Sequence, residues 1–201
     1  MLINLNVNPE VRARNIKVCK EKGIILPTFK QMIDPSTVPA SIKEKLAKTG
    51  LWDVNPVNLF RVTWHNEPVM EGGGFGGVNF IEVPKQLTGV KARIFCLVGK
   101  YFPTGAHKVG ATYSCLAPAL ATGNFDAQNQ QAVWPSTGNY CRGGAYNSAL
   151  LGCKSIAILP AEMSKERFEW LKTVAGEVIA TPGCESNVKE IFDKCHELDA
   201  E

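Results

Sequence analysis

Hydrophobic and polar positions alternate irregularly up to about Lys100 and then fall into a regular order. In the first part, Asn8 as N-cap, Pro9 at the first helical position and Gly23 as stop predict a helix over Pro9 to Lys22. A shorter helix is expected over Ser41 to Thr49, ahead of Gly50. Pro27, Pro35, Pro39, Pro56 and Pro68 break up the rest, as suits an extension wrapping over another domain or a partner subunit. From Val90 the apolar runs shorten and recur. Ala92–Val98 reads as a strand, Lys108–Leu120 as a helix, Ala132–Trp134 as a strand, Asn139–Leu151 as a helix and Ser155–Leu159 as a strand. Ser164 is placed to cap a helix carrying Phe168, Leu171, Val174 and Ala175 on one face and ended by Gly176. Val178–Thr181 follows as a strand, then a last helix with Val188, Ile191, Phe192, Cys195 and Leu198 on one face. Strands alternating with helices through short loops predict an α/β domain, a three-layer αβα parallel sheet, over 83–201, with 1–82 as an irregular, partly helical extension.

Composition narrows the function only by exclusion. Of the 201 residues, 45% are hydrophobic and 20% charged, an ordinary soluble balance. The net charge of +3 is spread rather than clustered, which argues against nucleic acid. No apolar run reaches membrane length, and Met1 to Val11 does not read as a signal peptide. Seven cysteines, none two residues apart, lack zinc or thiol-redox spacing and suit a reducing cytoplasm. His65 and His196 lack partners at ligand spacing, so no metal site is expected. Trp52, Trp64, Trp134 and Trp170 are expected to anchor a core or an interface.

In parallel sheets ligands collect where strands end and helices begin. Two such turns are unusual here. The first is Pro103-Thr104-Gly105-Ala106-His107-Lys108-Val109-Gly110-Ala111. A lysine in a first helical turn is a poor match to the dipole, whose positive field favours the uncharged amine that Schiff-base chemistry requires. A solvated surface lysine is the bland reading. The second is Trp134-Pro135-Ser136-Thr137-Gly138-Asn139-Tyr140-Cys141-Arg142-Gly143-Gly144-Ala145. Ser, Thr and Asn could merely cap the helix, or together with the amides around Gly138 cradle a carboxylate or phosphate. Gly143, Gly144 and Ala145 would let this helix approach another backbone closely. Cys141, near a helix start, could be reactive, though an inert small side chain is the safer expectation.

Together and in this order, the two segments resemble those of fold-type II pyridoxal-5′-phosphate (PLP) enzymes, the group of tryptophan synthase β, cysteine synthase, threonine synthase and threonine deaminase. The Gly-Ala-His-Lys form is most similar to tryptophan synthase β. The Ser-Thr-Gly-Asn loop, which begins 28 residues after Lys108, is closer to the cysteine synthase and deaminase branches. The resemblance runs from about Val83 to Cys195. It implies that Lys108 holds PLP as a Schiff base and transfers the proton at the substrate α-carbon. It further implies that His107 lies near the cofactor phosphate, that Ser136, Thr137, Gly138 and Asn139 bind the substrate α-carboxylate, and that Asn139 meets the ring oxygen. The implied chemistry is β-elimination or β-replacement on an amino acid.

The group's glycine-rich phosphate cup and pyridine-nitrogen partner follow the region matched, and this sequence ends before them. The expectation is therefore a partial chain, with weak PLP binding and little turnover by itself, completed as a homodimer or by a complementing carboxy-terminal half. Gly72-Gly73-Gly74-Phe75-Gly76-Gly77 precedes Lys108 and is not followed by a helix, so it reads as a mobile loop rather than a substitute cup. The rival from another class is a non-catalytic α/β module that holds an amino acid or a phosphorylated ligand in the Ser136–Asn139 loop.

Overall fold

The computed structural model describes residues 4–68 and 73–200. Helix α1 (Pro9–Glu21) starts as the sequence predicts, with the Asn8 side chain accepting the Val11 amide at 3.2 Å. It is followed by the short α2 (Phe29–Ile33), closed by a Thr28/Gln31 capping box, and by α3 (Ala40–Leu46). The extension does not hang free. Asn15, buried in α1, donates to the carbonyls of Leu120 and Phe125 and accepts the Ala127 amide. Ile24, Leu59 and Val62 belong to the same apolar cluster as Val109, Leu116, Trp134 and Tyr146, so both segments share one core. The guanidinium of Arg61, 4% exposed, collects the carbonyls of Leu46, Thr49 and Gly73 and the Asn58 side chain.

One predicted strand is placed elsewhere. Ala92–Val98 does not join the parallel sheet. Its centre, β2 (Ile94–Leu97), pairs antiparallel with β1 (Phe80–Val83), a strand the sequence pattern did not reveal, with the one-turn helix α4 (Lys85–Thr88) between them. The connection is too short for a parallel crossover, so the two strands can only fold back on each other. The run is apolar on both faces, which reads like a buried strand. Yet Phe80, Ile81, Phe95 and Leu97 are exposed.

The regular part follows the predicted order: α5 (Lys108–Thr122), β3 (Gln131–Pro135), α6 (Asn139–Leu150), β4 (Lys154–Pro160), α7 (Lys165–Val174), β5 (Glu177–Thr181) and α8 (Val188–Ala200). The sheet is parallel, in order β3-β4-β5, with Val133 opposite Ile156 and Ile158 opposite Ile179. Alternation along β4 assigns its faces. Ala157 and Leu159 pack with Ala145, Tyr146 and Leu150 on the α6 side, whereas Ile156 and Ile158 pack with Ile191 of α8. Helix α7 joins α6 on the first face, and α5 lies on α6 as an outer layer. This is the α/β arrangement, helices on both faces of a parallel sheet, that the sequence predicts. At α7 the details differ: Ser164 stands before the helix but makes no side-chain cap, and Ala175 rather than Gly176 ends it.

The glycine-rich block also differs from expectation. Gly72 lies outside the described residues, but Gly73–Gly77 is tied to His65–Glu67 rather than standing free. Glu67 N donates to Gly74 O at 3.0 Å, Gly76 N to His65 O at 2.8 Å, and Asn66 pairs with Phe75. His65 spends its Nδ1 on Gly76 O, at 2.9 Å.

Candidate active site

Lys108 is the first residue of α5, and its side chain is exposed. The backbone leading to it is unusual. Thr104 and Gly105 are both left-handed, at φ 67°, and Thr104 is the one non-glycine residue with positive φ among the described residues. A β-branched residue resists this conformation. Thr104 is also 2% exposed, and its Oγ1 is buried without a partner. Strain and an orphaned hydroxyl four residues before Lys108 mark the segment as held for something other than stability.

Asn139 is the first residue of α6 and is exposed. None of the polar residues before it caps the helix. Ser136 Oγ accepts the Gly138 amide at 3.1 Å, Ser136 N reaches Ile158 O at 3.0 Å, and α6 has no side-chain cap. The bland reading of this loop as helix caps therefore fails. The leading amides of α6, and the positive end of its dipole, stay available to an anion. His107 likewise precedes α5 without capping it, but there the Val109 and Gly110 amides already donate to Ala106 O and His107 O. A β-carbon on Gly138 would meet nothing within 4 Å, so the loop faces open space.

Gly143 joins the two turns. A β-carbon there would lie 2.8 Å from the Val109 amide nitrogen and 3.0 Å from the Lys108 carbonyl carbon. One turn along, the buried Asn147 donates from Nδ2 to Val109 O at 2.6 Å and to Thr112 Oγ1 at 2.8 Å. On the other side of α6, Gly144 abuts the Trp134 ring, whose Nε1 donates to Ser148 at 2.9 Å. The close approach read from Gly143-Gly144 is thus present on both sides, and its target is the backbone of Lys108. Asn147, Thr112 and Thr104 were missed in the sequence. Only a polar residue within an otherwise close-packed helix face hinted at Asn147.

No hydrogen bond joins Lys108 to Ser136–Asn139 among the described residues; their shared frame is the α5–α6 contact. His107 turns aside. Its ring stacks on Trp64 at 5.6 Å and borders a groove of about 500 Å³ with Phe29, Met32 and Phe102. Cys141 is 1% exposed, and burial pushes its thiol up to about 12, so it is inert. Trp134 is a core residue, Trp64 and Trp170 are half-buried, and Trp52 is largely exposed. The residues present fit PLP: a primary amine at a helix start, an uncapped neighbouring helix start beside open space, and an orphaned hydroxyl nearby.

Over part of its length the chain is similar to fold-type II PLP enzymes, in sequence and in fold. Within that class, its relatives are cystathionine beta-synthase and cysteine synthase. It is 33% identical over 101 residues to cystathionine beta-synthase of Saccharomyces cerevisiae, half of this chain and 20% of that protein. It is also 33% identical over 107 residues to a probable cysteine synthase of Bacillus subtilis, 53% of this chain and 34% of that protein. The chain thus spans a fifth to a third of the length of these relatives. No protein-family model matches it. In fold it is similar to a cysteine synthase of Entamoeba histolytica (TM-score 0.53, 19% identity, 62% of this chain and 38% of that one). It is also similar to an O-acetylserine dependent cystathionine beta-synthase of Helicobacter pylori (TM-score 0.52, 19% identity, 59% and 39%). No described helix is long and apolar enough to cross a membrane.

Proposed function

We propose that this chain contributes the lysine and the carboxylate loop of a PLP-dependent enzyme performing β-elimination or β-replacement on an amino acid. The observation that supports it best is the contact of Gly143 with the Lys108–Val109 backbone, which fixes the helix behind the Ser136–Asn139 loop to the turn bearing the amine. PLP, when bound, supplies the electron sink for chemistry at the α- and β-carbons. Lys108 would offer the primary amine that holds the cofactor and would take the substrate α-proton on Nζ. Ser136, Thr137, Gly138 and Asn139 hold the α-carboxylate against the start of α6, where N–H groups and dipole favour negative charge. Asn139 would hold the cofactor ring oxygen, and His107 would lie near the cofactor phosphate.

The matched region spans about a third of the length of the probable cysteine synthase. Seven free cysteines suit a reducing cytoplasm.

Borohydride reduction in the presence of PLP, followed by peptide mass spectrometry, tests the assignment. A phosphopyridoxyl adduct on Lys108 is expected. An adduct on another lysine, or none at all, removes it and favours the non-catalytic binding module.

A further inference from the structure

The guanidinium of Arg142, on α6, lies against two indoles that touch each other. Its central carbon is 5.4 Å from the centre of the Trp52 ring and 5.1 Å from that of Trp170. The two rings meet edge to face at 5.9 Å, and Tyr146 stacks on Trp170 at 6.3 Å. These ring contacts do not neutralise the cation. Arg142 Nε is buried with no hydrogen-bond partner, and no carboxylate pairs with Arg142 among the described residues. Burial lowers its pKa, and the charge that lowers it further is another cation, Arg167 of α7.

Both arginines are anchored to the candidate carboxylate loop. Arg167 Nη1 donates to Thr137 O at 2.8 Å, and the Arg142 amide donates to Gly138 O at 3.4 Å. Trp52 also borders the segment that carries Lys108, since a β-carbon on Gly105 would lie 3.4 Å from its ring. A half-buried cation beside a like charge is unfavourable unless an anion arrives to pair with it. Contact with the rings offsets part of that cost. A planar guanidinium fork matches a phosphate or carboxylate in bidentate fashion.

We propose that Arg142 and Arg167 form a subsite for a second anionic group on the amino-acid substrate, carried at the far end of its side chain and separate from the α-carboxylate. The inference rests on the function proposed above and narrows it to substrates with an acidic side-chain substituent, a phosphate ester or a second carboxylate. The same chemistry could be offered by the phosphate of PLP, and the experiment separates the two sources.

Isothermal titration of the full chain with O-phospho-L-serine, L-serine and PLP, each alone, reads the subsite directly. O-Phospho-L-serine is expected to bind at least about tenfold tighter than L-serine. Arg142→Gln should abolish that preference, Arg142→Lys should retain only a few-fold of it, and Arg167→Gln should weaken it, with circular dichroism confirming the fold of each. If Arg142→Gln does not fold, the Lys and Arg167 variants carry the test. Equal binding of the two amino acids by the parent chain overturns the proposal. So does a variant that loses PLP while treating both amino acids as the parent does, because the arginines would then serve the cofactor phosphate. Borohydride trapping in the same samples keeps the two readings apart. A Lys108 adduct without a phosphoserine preference removes only the subsite. A preference lost with Arg142 in a chain giving no adduct keeps the anion site and removes the PLP assignment.

Discussion

Gly143 and Val109 approach so closely that a β-carbon on the glycine would lie 2.8 Å from the valine amide nitrogen. The atoms in the way are backbone, and they belong to the first turn of α5, so they cannot swing aside as a flexible side chain would. Gly143→Ala is therefore expected to cost about 1–3 kcal/mol, the usual range for overpacking a core. It should also lower the yield of PLP adduct on Lys108 beyond what the stability loss explains. Urea unfolding followed by reductive trapping on the folded fraction checks both.

Asn147 completes the same contact. Its amide bonds to Val109 O and Thr112 Oγ1 inside a fully buried contact, while Thr112 Oγ1 in turn donates to Lys108 O at 3.2 Å. Asn147→Ala removes two buried hydrogen bonds, at an expected cost of about 1–3 kcal/mol. A double-mutant cycle with Thr112→Val should show coupling, since the two side chains share one network.

Thr104 offers the opposite sign. Its left-handed backbone and its partnerless Oγ1 both oppose folding. Thr104→Gly is expected to raise thermal stability, by about 1 kcal/mol, because glycine adopts positive φ without a steric penalty. If the hydroxyl serves the bound cofactor, the same variant should trap less PLP. Calorimetry and adduct yield should then move in opposite directions.

Asp126 gives a pH signature. Hydrogen bonds from the Asn129 side chain and the Gln128 amide, together with Arg14 at 2.9 Å, hold its carboxyl down to about 2. A depressed folded-state value means its stabilisation is present above the ordinary aspartate value of about 3.9 and is lost as pH falls through about 2. The denaturation midpoint of the parent chain should thus drop more steeply below pH 5 than that of Asp126→Asn.

Thiol reactivity should sort by burial. Cys141 and Cys153 are 1% and 9% exposed, and burial raises both to about 12, whereas Cys96, Cys115 and Cys184 are exposed. Iodoacetamide at neutral pH is expected to label the exposed three first and to reach Cys141 and Cys153 only after unfolding.

The regular half of the fold was legible in the sequence because each element there obeys local rules. Helices α5 and α6 begin at the residues foreseen, Lys108 and Asn139, and β4 alternates between two apolar faces that its neighbours fill. The first half was less legible. The four-residue strand β1 and the five-residue α2 are too short to show a period, and β2 looked like a buried strand because nothing local reveals which strand it will pair with.

By itself, the order of residues determined the alternation of strand and helix, and the placing of an amine and a polar loop at two helix starts. Period, turn residues and motif spacing are properties of neighbouring positions along a chain. Only the tertiary structure decided that α6 leans on the backbone of Lys108 through Gly143, that Asn147 bonds across to the same turn, and that Arg142 packs against Trp52 and Trp170 with no counter-ion among the described residues. Those facts depend on which surfaces meet at close packing, and residues from 28 to 90 positions apart meet there for reasons of shape and unsatisfied polarity that no local pattern encodes.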